Sequence, residues 1–106
     1  MEDQWLNEAA EFDDNDDVRR LRVASAKAVM AAWMVGYLSG LDETARVGPV
    51  GRDEALFHAK FELETRTSER ERGIRGAAKA GEPLDRLVQA SGMPSEEVQQ
   101  IIDAAG

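Results

Sequence analysis

Leu84-Asp85-Arg86-Leu87-Val88-Gln89-Ala90-Ser91-Gly92-Met93-Pro94-Ser95-Glu96-Glu97-Val98-Gln99-Gln100-Ile101 decides how this chain folds. Leu87 lies one turn inside a short helix that begins near Pro83. A ring without an N–H does no harm there, because the first helical N–H groups have no intrahelical partner. Gly92 follows Ala90-Ser91, where a chain reversing between two helices needs a residue free to take positive φ. Pro94 opens the next helix, and Val98, Ile101 and Ile102 recur at helical spacing on its inner face. Upstream, Ser68-Glu69-Arg70-Glu71 has the form of a capping box and predicts a helix start. That helix turns Ile74, Ala77 and Ala78 inward and stops at Gly81. Residues 68–106 thus form a trihelical helix-turn-helix unit, and the expected fold class is all-α.

Three pieces of this stretch carry a family likeness: Ile74 to Gly81, Leu84 to Val88, and Ala90 to Ile101. Together they resemble the small, homeodomain-like helix-turn-helix proteins common in high-GC actinobacteria and their phages. The likeness covers only the C-terminal part of the chain. It implies DNA binding, with the last helix in the major groove. Where such proteins usually carry Ala, this chain has Val88, whose branched side chain is expected to hold the two helices slightly apart.

Composition agrees with an all-α chain. Strand formers are sparse, while Ala, Glu, Arg and Leu are abundant. One hundred and six residues suffice for one modest core. With no Cys there is no disulfide framework, no thiolate nucleophile and no zinc ribbon. Met1-Glu2-Asp3-Gln4 is unlike a signal peptide, so a cytoplasmic protein is expected. The net charge of −8 argues against nucleic acid at first sight. Its distribution changes that. Residues 1–17 hold eight acids and no base, and the other 13 acids balance 13 bases.

The chain divides into an acidic arm (1–17), a long helix and loop (18–52), and a helical segment that ends in the helix-turn-helix unit (53–106). In the arm, Trp5, Leu6 and Phe12 form an apolar group suited to docking on a partner protein or on the chain's own core. Asp13, Asn15 and Asp17 mimic the first ligands of a calcium loop. Val18 stands where that loop needs Gly, and Ala24 where it needs a bidentate Glu. A helix start with acids at its positive end fits better.

The helix from about Asp17 to Ser39 has two apolar stripes. Val23, Ala26, Met30, Trp33 and Tyr37 recur at spacings of three and four, and are expected to fill a core. Ala24, Ala28, Ala32 and Gly36 form a small-residue stripe that lets another helix approach closely. With so few other elements to cover both faces, the helix is expected to pair between two chains, with Ala24, Ala28, Ala32, Trp33 and Gly36 at the contact. A membrane span is excluded: only 14 residues, Ala28 to Leu41, are free of charge, and a span needs roughly 20. Gly48-Pro49 and its glycine neighbours break the chain into a loop. Asp53 then caps a helix through Leu56, Phe57, Phe61 and Leu63. At Thr65-Arg66-Thr67-Ser68 this helix either breaks or runs on to near Ala80.

No constellation for catalysis is present: a nucleophile elbow is missing and His58 is the only histidine. Glu54, His58 and Glu62 lie four apart, but they are also what a solvated helix face would show, so neither a metal nor a cofactor is expected. The binding surface says more. Arg70, Arg75, Lys79 and Arg86 are placed to reach phosphates. Ser95, Glu96, Gln99 and Gln100 face away from Val98 and Ile101, where Gln can pair with an adenine edge and Glu can accept from a cytosine amine. Against this, the last helix has no Arg or Lys. Two functions follow: a dimeric DNA-binding regulator whose partner is duplex DNA, or a non-enzymatic protein-interaction module that binds a regulator or the transcription machinery. Neither requires a membrane.

Overall fold

A computed structural model describes residues 15–104. The protein is all-α. Helix α1 spans Asp16–Ser39, α2 Arg52–Lys79, α3 Leu84–Ser91 and α4 Ser95–Ala104. A two-stranded hairpin, β1 Arg46–Val47 and β2 Val50–Gly51, joins α1 to α2. The arm residues Trp5, Leu6 and Phe12 lie outside the described residues.

Local chemistry sets most helix ends. Asn15 caps α1: its side-chain oxygen accepts from the Val18 N–H at 3.0 Å, and its amide donates to the Glu82 carboxylate beyond α2. Asp16 and Asp17 then sit against the positive end of the helix. At the far end of α2 the Glu82 N–H bonds the Ala77 carbonyl and the Gly81 N–H bonds that of Ala78, with Gly81 at φ 98°. This is a Schellman stop, which satisfies carbonyls that a helix end otherwise leaves orphaned. Between β1 and β2, Gly48 takes φ 62°, the positive φ that two-residue hairpin turns favour at their first central position.

Two sequence expectations are corrected here. Ser68 starts no helix. It lies in the middle of α2, which runs unbroken through Thr65-Arg66-Thr67. Arg66 binds Glu62 at 2.7 Å and Glu69 at 3.1 Å, bracing the weak segment from both sides. Nor does Asp53 cap: the helix begins at Arg52 with Gly51 in the cap position, and Asp53 falls in the first turn.

One core holds the molecule together. Val18 and Leu21 of α1, Ile74 and Ala77 of α2, Leu87 and Ala90 of α3 and Val98 of α4 form it, with Leu84, Val88, Met93, Ile101 and Ile102 packed around it. Val18, Leu21, Ile74, Leu87 and Val98 are the largest fully buried side chains. Each contributes roughly 1.5–3 kcal/mol by leaving water. The first turns of α1 therefore join α2, α3 and α4 in a four-helix head. α1 passes close to Gly73 of α2: a Cβ there would lie 3.4 Å from Leu21 Cδ1 and 3.5 Å from Leu21 Cα, in van der Waals contact.

Beyond the head, α1 and α2 continue side by side as an antiparallel hairpin. α1 buries Ser25, Ala28, Ala31 and Leu38 along it. The large stripe expected to fill a core lies on the surface instead: Val23, Met30, Trp33 and Tyr37 are all exposed. Nor is the inner face the small-residue stripe: Ala28 lies on it and Ala24 at its edge, but Ala32 and Gly36 are exposed, and Leu21, Ser25, Ala31 and Leu38 make up the rest of the line. The resulting shape is extended. Its radius of gyration is 16.8 Å, against about 13 Å for a compact chain of this length.

Candidate functional site

The head carries the helix-turn-helix. α3 ends at Gly92, which takes φ 71° and donates its N–H to the Val88 carbonyl at 2.9 Å. The Ser91 hydroxyl accepts from the Met93 N–H at 3.2 Å. α4 starts one residue past Pro94, whose carbonyl accepts from Val98 N–H. The turn is thus Gly92-Met93-Pro94, the length and composition of a helix-turn-helix junction. Val88 is half-buried against the core.

α4 packs on both α2 and α3. Val98 is buried, and Ile101 and Ile102 are half-buried. Ser95, Glu96, Glu97, Gln99, Gln100 and Asp103 are all exposed. The four residues expected to read bases therefore share one free helix face. On that face the Gln99 amide donates to Asp103 at 2.9 Å, which engages one of its two N–H groups and orients the side chain along the helix. Three carboxylates and no cation stand there.

The cations expected at phosphates are less uniform. Lys79 is exposed, whereas Arg70, Arg75 and Arg86 are half-buried. The Arg70 Nε is buried and lacks a hydrogen-bond partner among the described residues. Arg66, one turn before Arg70, is occupied by Glu62 and Glu69, which raise its already high pKa. His58 lies 4.0 Å from Glu54 on an exposed face. Among the described residues no cluster of His, Cys, Asp and Glu could hold a metal ion, and no helix is long and apolar enough to cross a membrane.

The residues expected at a helix–helix contact split. Ala28 is buried inside the hairpin and Ala24 is half-buried, but Ala32, Trp33 and Gly36 are exposed. Trp33 stacks on Tyr37, with ring centroids 5.6 Å apart and planes 4° from parallel. Two features escaped the sequence. One is a groove of about 550 Å³ where Arg19, Arg20 and Lys27 of α1 face Glu69 of α2. The second is the exposure of Phe57 and Phe61 at 69% and 67%. The signal for the inner face was present in the spacing Val18, Leu21, Ser25, Ala28, which follows a heptad seam. Comparison with protein-family models, characterised proteins and solved structures returns no match.

Proposed function

We propose that this chain is a small helix-turn-helix DNA-binding transcriptional regulator that works as a homodimer. One observation carries the proposal: α3 and α4 meet across Gly92-Met93-Pro94 with their apolar sides in the head, and the whole outward face of α4 is left to solvent. An amphipathic helix that presents Ser95, Gln99 and Gln100 without covering partners has the form of a recognition helix. Lys79, with Arg75 and Arg86, supplies charge for the backbone. Titration of labelled duplex at about 50 mM salt, where backbone contacts are strongest, tests it. Binding is expected, and Arg75→Ala is expected to weaken it on every sequence and reduce the salt slope by about one. No binding at that salt would sink the DNA reading.

A protein-interaction module, an adaptor or inhibitor of a regulator, is favoured by a different observation. Glu96, Glu97 and Asp103 make the free face of α4 acidic, and such a face repels phosphate. In that case the duplex titration stays flat, and Glu96→Lys together with Asp103→Lys creates DNA binding that the wild type lacks.

A further inference from the structure

Helix α1 is apolar on every side from Ala28 to Leu38, yet α2 covers only one line along it. A helix that is hydrophobic all round is normally buried all round. The uncovered side is ordered: Val23, Ala26, Met30, Trp33 and Tyr37 are all exposed and follow the three–four spacing of a coiled-coil seam. α1 thus carries two seams. The inner one, through Val18, Leu21, Ser25 and Ala28, belongs to its own α2 and head. The outer one faces away.

We infer that a second copy of this chain covers the outer seam, α1 against α1 and antiparallel. The inference deepens the homodimer and does not rest on DNA binding. Size is the first argument. With Met30 70%, Trp33 66% and Tyr37 51% exposed, the seam leaves on the order of 500 Å² of apolar surface before its flanks Val29 and Met34 are counted. That lies in the upper part of the roughly 300–600 Å² that a monomer's largest patch commonly spans, and with Val29 and Met34 it approaches the ~800 Å² per partner of a stable interface. Charge is the second argument. The stretch of α1 from Ala28 to Leu38 carries no charge, so the six acids among residues 1–14 find no cation on it, and the arm has little beyond Trp5, Leu6 and Phe12 to set against it. The cations of α1, such as Arg20 and Lys27, all precede it. An apolar seam of this kind is matched by another like itself.

Shape decides the direction. Parallel pairing sets Trp33 on Trp33 and Tyr37 on Tyr37 while Ala26 meets Ala26, alternating clashes with gaps. Antiparallel pairing, in the usual layering of one seam against its reverse, sets Met30 beside the partner's Trp33, Ala26 opposite the partner's Tyr37, and Val23 opposite the partner's Gly40. Large meets small in the outer layers, as close packing requires. The contact is isologous and closes as a two-fold dimer.

The full chain has no cysteine, which makes the test clean. Sedimentation velocity at tens of micromolar is expected to give a dimer. Met30→Glu and Trp33→Glu each place two charges in the seam and are expected to weaken the dimer about 100-fold or more, with helix content unchanged because both side chains are already exposed. Oxidation of a mixture of Ala26→Cys and Tyr37→Cys chains is expected to link the two kinds of chain, while neither alone links to itself. A monomeric wild type, including one that dimerises only after residues 1–14 are removed, overturns the inference. So does a dimer that survives Met30→Glu, or an Ala26→Cys chain that links to itself.

Discussion

The head and the outer half of the α1–α2 hairpin are built from the same two helices, yet they treat apolar side chains in opposite ways. In the head, Val18, Leu21, Ile74, Leu87 and Val98 are shut from water. A few turns further along, Met30, Trp33, Tyr37, Phe57 and Phe61 stand in it. The difference is one of neighbours. In the head, α3 and α4 fold back over α1 and α2, so four helices share one centre. Along the hairpin two helices have only each other, and a two-helix layer can bury one line on each. The head is complete within the chain. The hairpin has apolar surface to spare.

This contrast can be broken most severely in the head. Leu87→Ala removes a fully buried side chain where three other helices meet, and should cost about 2–5 kcal/mol. That is a large share of the ~5–15 kcal/mol a domain has, and thermal melting followed by helix circular dichroism will show it. Gly92→Ala should cost about 1–2 kcal/mol, since φ 71° puts an L side chain in the left-handed region. The same substitution at Gly76, helical and with open space where its Cβ would go, should instead raise stability by about 0.5–1 kcal/mol. Trp33→Gln should barely move the stability of the dilute chain, by about 0.5 kcal/mol at most. If it destabilises the dilute chain as strongly as Leu87→Ala, Trp33 is buried within the chain and the contrast is wrong.

Much of the head was legible because its signals are local. Gly92 with Pro94, and Gly81 after Ala77-Ala78, mark turns that only certain residues can make, and the structure uses them that way. The boundary at Ser68 was misread for the opposite reason. Its capping-box pattern is local, but Arg66 bridging Glu62 and Glu69, together with packing against α1, carries the helix through. The two stripes on α1 were both visible. That neither faces inward as a whole was not, because the inner line through Leu21, Ser25, Ala28, Ala31 and Leu38 is selected by where α2 lies, and the sequence of α1 alone does not contain that. For the candidate site, spacing placed Ser95, Glu96, Gln99 and Gln100 on one free face. It could not foresee that Gln99 would bond Asp103, since two side chains four apart meet only once their rotamers are chosen.

The uninterrupted length of α1 has a consequence for distance. Its head residues Val18 and Leu21 lie some twelve residues before the middle of the outer seam, a rise of about 18 Å. In the proposed antiparallel pair the two heads then stand about 36 Å apart along the helix axis, close to one turn of B-form duplex. α1 is in that sense a ruler. Every residue between Leu21 and Met30 sets about 3 Å of separation between heads, 1.5 Å from each chain. The seam that joins two copies would also fix how far apart they reach.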